Sequence, residues 1–115
     1  VPLQKLDMLI LLYRGAIEDM TNAEDFLKKG DLQEKANALE RAENIVLVLN
    51  AAINVETGGE VASNIARLYD FVLYNITMGN IKNDAQAIIN GRNVLNTLLE
   101  GWEEARKGLE KQANV

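Results

Sequence analysis

The sequence predicts an all-α protein, an antiparallel up-down-up-down four-helix bundle, and three observations carry that prediction. Apolar residues recur three and four apart along four long stretches. The single proline, Pro2, stands ahead of the first stretch, and the stretches are joined by short segments rich in glycine or asparagine. No stretch alternates apolar and polar residues with the period of two that a half-buried strand needs. Short connections make successive helices antiparallel neighbours.

Pro2 suits the first turn of a helix, where its missing N–H would have no intrahelical partner anyway. The first helix then runs through Leu3, Leu6, Ile10, Tyr13, Ile17, Met20 and Leu27, a coiled-coil-like seam interrupted at Glu24. In "KKGDLQEK", Lys28 and Lys29 suit a helix C-terminus and Gly30 the residue beyond it. Asp31 with Glu34 then forms a capping-box-like start. The second helix carries Leu32, Leu39, Ala42, Val46, Leu49 and Ile53. It ends at "ETGGE" (Glu56–Glu60), whose glycines are free to adopt positive φ. The third carries Val61, Ile65, Leu68, Val72 and Ile76 and closes in "MGNIKND", where Asn83 with Gln86 again resembles a capping box. The fourth runs from Asp84 to Gln112 through Ile88, Leu95, Leu99, Trp102 and Leu109. Such helices are roughly 30–40 Å long at about 1.5 Å per residue.

A chain of 115 residues reads as one domain, 1–115, that buries roughly two-thirds of its unfolded surface without disulfides or metals. Cysteine is absent, which fits a reducing compartment. No apolar run approaches the ~20 residues of a membrane span, so membrane insertion is not expected. The chain opens at Val1 without Met or a basic, apolar leader; the expectation is a missing true N-terminus and no signal peptide. Twelve Lys and Arg are scattered among 17 Asp and Glu, for a net charge of −5. Nucleic acid and anionic membrane surfaces are therefore disfavoured as partners. Histidine is absent too, which removes phosphotransfer bundles, Glu-x-x-His di-iron bundles and His-ligated haem bundles. No catalytic residue, cofactor or metal site is expected. A bundle gripping a dianion needs convergent cations, yet Arg14 and Arg41 lie off the best seams and only Arg92 falls near one.

More apolar residues remain than one core needs. In "MLILLYRGAI" (Met8–Ile17) they point all around the axis, since each residue advances by about 100°. The first helix adds Leu9, Leu12, Ala16, Ala23 and Phe26 to its seam. The second adds Ile45, Val48, Ala52 and Val55, within "IVLVLNAAINV", where nine residues of eleven are apolar. The third adds Ala62, Ala66, Tyr69, Leu73 and Ile76. Either both stripes are core, or part of this surface forms grooves for apolar helices of another chain; a weak homodimer would use it equally well. The candidate groove residues are Leu9, Leu12, Ala16, Ile45, Val48, Ala52, Val55, Tyr69, Leu73 and Ile76. Trp102 reads as a core anchor, and Tyr13, Tyr69 and Tyr74 as amphipathic boundary residues. Gly15 reads as a point of close approach by a neighbouring or bound helix. The paired acids Glu24–Asp25 and Glu103–Glu104 read as solvated face.

Five segments also resemble, in order and spacing, the FliS family of flagellin-specific export chaperones. "LLYRGAI" (Leu11–Ile17) looks like the MLY-x-GA-aliphatic run of that family's first helix. "GDLQEKANALERAENIVLVLNAAIN" is similar to its second, with Lys35 and Ala42 at expected places. "GGEVA" followed by "LYDFV" (Leu68–Val72) resembles its third, and "NIKND" with "LLEGWEEA" (Leu98–Ala105) its last loop and fourth helix. The resemblance spans about residues 3–106. It implies a cytoplasmic four-helix bundle that binds the C-terminal helical segment of flagellin, prevents premature polymerisation and presents flagellin to a component of the flagellar type III export gate. The alternative is a self-associating helical structural or adaptor bundle without a client. Family members usually carry an N-terminal segment with a Tyr and then Ser/Thr-Pro before the first helix. That segment can lie over part of the client groove. Here Val1 stands where the capping hydroxyl is expected.

Overall fold

The computed structural model describes residues 3–56 and 58–113, with the side chains of all of these except 54–56 and 113. The readings for Val1, Pro2 and Thr57, and for the side chain of Val55, lie outside the described residues. Four helices follow one another: α1 (Leu3–Lys28), α2 (Leu32–Glu56), α3 (Gly59–Ile81) and α4 (Ala85–Ala113). α1 packs on α2 and α4, and α3 packs on the same two, so the helices close a ring with α1 and α3 on one diagonal. The body measures 52 × 27 × 18 Å. This is the all-α four-helix bundle the sequence predicts.

The turns follow from local chemistry. Gly30 adopts φ 78°, with its N–H on the Leu27 carbonyl and the Asp31 N–H on that of Phe26. That pair of bonds is a Schellman closure of α1. Asp31 at once starts α2, its Oδ1 accepting the Glu34 N–H at 3.2 Å. Gly58, which precedes α3, and Gly59, its first residue, take φ 62° and 71°. At the α3–α4 turn the expected cap is displaced by one residue. Asp84 caps α4, its Oδ1 accepting the Ala87 N–H at 3.1 Å. Asn83 instead takes φ 53°, a conformation that asparagine tolerates. Its Oδ1 accepts from Lys35 Nζ at 2.6 Å. Lys35 also donates to the Asn80 carbonyl at 2.8 Å and is only 3% exposed. Burial pushes its ammonium pKa below the usual lysine value. This side chain therefore ties the start of α2 to the α3–α4 turn.

Most seam positions are buried: Leu6, Ile10, Tyr13 and Met20 of α1, Leu39 through Ile53 of α2, Val72 and Ile76 of α3, and Ile88 and Leu95 of α4. Leu32, Val61 and Leu68 are seam residues that the fold leaves exposed. Leu32 and Val61 stand in first turns at the ends of the ring. Leu68 is turned out because α3 is rotated about its axis, and two tyrosines set that rotation. Tyr13 and Tyr69, expected at the boundary, are wholly buried. Their hydroxyls hydrogen-bond to each other across the diagonal, with ring centroids 6.4 Å apart. A buried hydroxyl without a partner is costly, so each fixes the other. Burial raises both phenol pKa values. With Tyr69 inward, Leu68 lies about 100° away around the helix and faces out. Trp102 packs against the core half-buried, with its indole near the Tyr13 hydroxyl. Tyr74 is exposed.

Glu24, expected in solvent, is also buried. It shares the inward face of α1 with Leu6, and Lys28 Nζ at 2.9 Å and Arg92 Nη1 at 2.7 Å neutralise it. Lys28 and then Arg92 hold its carboxyl below the usual range. Gly79 lets α3 and α4 close on each other, because a Cβ there would stand 2.5 Å from Ile88 Cγ1.

Tyr13→Phe strands the Tyr69 hydroxyl and should cost about 1–3 kcal/mol, whereas Tyr13→Phe/Tyr69→Phe should cost less than the sum of the single changes. Urea denaturation of the full cycle measures the difference. Because its folded-state pKa is depressed, Glu24 stabilises above the ordinary carboxylate pKa of about 4.3. That stability is lost as the pH falls through the folded value. Glu24→Gln should therefore melt below wild type at neutral pH, and the two melting temperatures should converge on acidification.

Candidate functional site

An open apolar surface lies between α1 and α2. Two contacts fix how these helices meet. A Cβ at Gly15 would stand 3.4 Å from Ile45 Cδ1, an ordinary van der Waals distance, so Ile45 reaches α1 here and the position does not demand a glycine. One turn further along α1, Asp19 Oδ1 pairs with Arg41 Nε at 3.4 Å. Continuing this antiparallel register toward the other end sets Leu12 beside Val48 and Met8 beside Ala52.

The resulting face has half-buried walls, Leu12 and Ile45, and open apolar positions at Met8 (59% exposed), Val48 (55%) and Ala52. A scattered exposed leucine needs no explanation, but contiguous apolar residues across two helices do. The Asp19–Arg41 pair closes one end of this strip, and at the other end Lys5 stands one turn before Met8 on α1.

The structure divides the sequence-predicted groove. Leu12, Ile45, Val48 and Ala52 come together on the α1–α2 face. Leu9 is half-buried on α1, packed against the core. Ala16, Tyr69 and Ile76 have no surface to offer: they are buried at 0, 0 and 1% exposure. Ala16 belongs to the core cluster, Tyr69 is held by Tyr13, and Ile76 sits two turns on along the same inward face of α3. Leu73 is half-buried on the flank of α3 away from α4, apart from the α1–α2 face. Met8 was not among the predicted residues, although it stands one turn before Leu12 in a run that is apolar all round.

The seam on the other flank of α1, with α4, is charged. Arg14 Nη2 meets Glu103 Oε2 at 2.7 Å, Arg106 pairs with Asp7, and Arg92 with Glu24. A cleft of about 490 Å³ lies here, with Ile10 and Leu11 among its lining. Each guanidinium that could grip an anion is already engaged by a carboxylate. Glu103, expected in solvent with Glu104, is half-buried against Arg14. Among the described residues no group of three or more His, Cys, Asp and Glu could hold a metal ion. No described helix is long and apolar enough to cross a membrane.

Comparison with known proteins agrees with this arrangement. The family model described as "Flagellar protein FliS" matches residues 3–109. The chain is 36% identical over 98 residues to the flagellar secretion chaperone FliS of Salmonella typhimurium, covering 84% of this chain and 73% of that protein. It is 30% identical over 94 residues to the FliS of Vibrio cholerae, covering 82% and 69%. A crystal structure of a bacterial flagellar chaperone superposes with a TM-score of 0.82 at 22% identity, over 90% of this chain and 85% of the other. A match over nearly the whole bundle, with relatives at 36% and 30% identity, places the chain in the FliS family of flagellar secretion chaperones.

Proposed function

We propose that this chain acts as a single-domain, non-enzymatic chaperone of the bacterial cytoplasm. It binds the C-terminal helical segment of flagellin along the α1–α2 face. There it prevents early polymerisation and supports delivery to a component of the flagellar type III export gate. The observation that carries this reading is the exposed apolar strip of Met8, Val48 and Ala52 along the α1–α2 face. A helix destined for a polymer core has an apolar stripe that must be covered until it is exported. A groove between two antiparallel helices offers a matching apolar surface. Membership of a family whose relatives are named flagellar secretion chaperones supports the same reading. The charged α1–α4 seam, with its guanidinium groups paired, offers no constellation for catalysis.

Calorimetry with a peptide of the flagellin C-terminal segment tests the proposal. Binding should be one-to-one, in the micromolar range or tighter, about −8 kcal/mol or better, with a negative heat-capacity change from apolar burial. Val48→Glu should weaken binding at least about tenfold, or 1.4 kcal/mol, and leave the melting temperature within a few degrees. Leu49→Glu puts an unpaired charge in the core and should cost several kcal/mol of stability. Unchanged affinity in a folded Val48→Glu protein would remove the α1–α2 face as the site.

A further inference from the structure

α3 is firmly held along its second half and loosely along its first. From Tyr69 onward it buries Tyr69, Val72, Asn75 and Ile76, and the Tyr13 hydroxyl bonds that of Tyr69. Its far end is tied by Lys35 through the Asn80 carbonyl and Asn83. The fit to α4 is close there. A Cβ at Gly79 would stand 2.5 Å from Ile88 Cγ1, and one at Gly91 would stand 3.4 Å from Asn75 Cβ.

Ahead of Tyr69 these anchors stop. Ala62 is the one buried residue among 59–68, and it presents only a methyl group. Val61, Ser63, Asn64, Arg67 and Leu68 are exposed. Arg67 bonds Asn64 of its own helix, and among the described residues no side chain of 59–68 hydrogen-bonds or ion-pairs with another helix. Gly58 offers α3 no side-chain cap, whereas Asp31 and Asp84 cap α2 and α4. The antiparallel register set by Gly91 and Asn75 puts Ile65 level with Gly101, and a Cβ at Gly101 would meet nothing within 4 Å.

A short helical segment has little stability of its own in water and draws it from packing. One with a single buried methyl, no cap and no tie to its neighbours is therefore the first to open. The Lys35–Asn80 contact sets Ala62 level with Ile53 of α2, which is only 4% exposed. Opening bares both.

We propose that residues 59–68 form a hinged flap, which opens and recloses ahead of Tyr69 while the rest of the bundle stays folded. Apolar surface at this end of the bundle is then exposed intermittently instead of permanently.

Native-state hydrogen exchange on the full chain tests this. Residues 63–68 hold the fifth to tenth positions of α3 and 36–41 the same positions of α2, so ordinary fraying of a first turn touches neither. The 63–68 amides should exchange at least about a hundredfold faster, at a rate that low urea leaves unchanged, whereas exchange at 36–41 and 72–76 should rise with urea. The chain has no cysteine, so a single introduced thiol reports on its own site. Ala62→Cys should react with an aromatic disulfide reagent at least about a hundredfold faster than Val72→Cys, again independently of low urea. Should either variant fail to fold, exchange on the unaltered chain decides. Equal protection of 63–68 and 36–41, or equally steep urea dependence, would overturn the proposal, because α3 would then open only with the whole bundle. Equal labelling of the two folded thiol variants would overturn it as well. Low protection running on through 72–76 would remove the hinge at Tyr69. Flagellin binding enters neither measurement, so the outcome is independent of the client.

Discussion

The hydrogen bond between the hydroxyls of Tyr13 and Tyr69 governs how the rest of the bundle is arranged. The backbones of α1 and α3 stay apart on a diagonal, and this contact links the two helices through the interior. Two phenols buried together must satisfy each other or leave an oxygen unpaired in a dry core. That requirement fixes the rotation of α3 about its axis. Tyr69, Val72 and Ile76 then face in, and Leu68 and Phe71 face out. An all-aliphatic core would allow other rotations at modest cost, since apolar contacts are not directional.

A ring of four helices imposes a second constraint. Each helix turns one sector inward and two flanks toward neighbours, and whatever apolar arc remains must meet water. α1 and α2 carry apolar residues over about half their circumference, so closing the core does not use them up. Ile45 settles between the two helices against Gly15, which covers part of the excess and leaves Met8, Val48 and Ala52 open. Exposing such a strip costs nothing in core packing, because Leu49 and Val46 beside it remain buried. Surface stickiness and fold stability are thus assigned to different residues of one helix. A protein that shields another chain's apolar helix needs that separation.

Polar anchors keep the bundle closed where the apolar surface is otherwise engaged. Lys35 holds the α3–α4 turn through the Asn80 carbonyl and Asn83. Glu24 joins Lys28 and Arg92 across α1 and α4, and Arg14–Glu103 and Arg106–Asp7 continue that seam toward the other end. The exposed pairs contribute little each. The buried ones fix register, because breaking either leaves a charge in a poorly hydrated place. The net charge of −5 opposes self-association of a molecule with open apolar faces.

Helix number, order and turns were legible in the sequence. Periodicity of three and four, a glycine at each of the first two breaks and the Asp31 cap are local signals, and local backbone chemistry realises them directly. The excess of apolar residues was legible as well, as was the resemblance of five segments to the FliS family. The residues that would bear a partner were only half legible. Adjacent stripes on a helix differ by about 100°, and sequence alone does not say which of them a ring of neighbours will cover. Val48 and Ala52 stayed outside, whereas Ala16, Tyr69 and Ile76 went in. Glu24 read as solvent-facing because its cation, Arg92, is 68 residues away in the chain. Tyr13 and Tyr69 read as boundary residues because their partners are each other, 56 residues apart. Local pattern determined that there would be four amphipathic helices with surface to spare; only long-range pairing of buried polar groups, which sets each helix's rotation, decided which surface that would be.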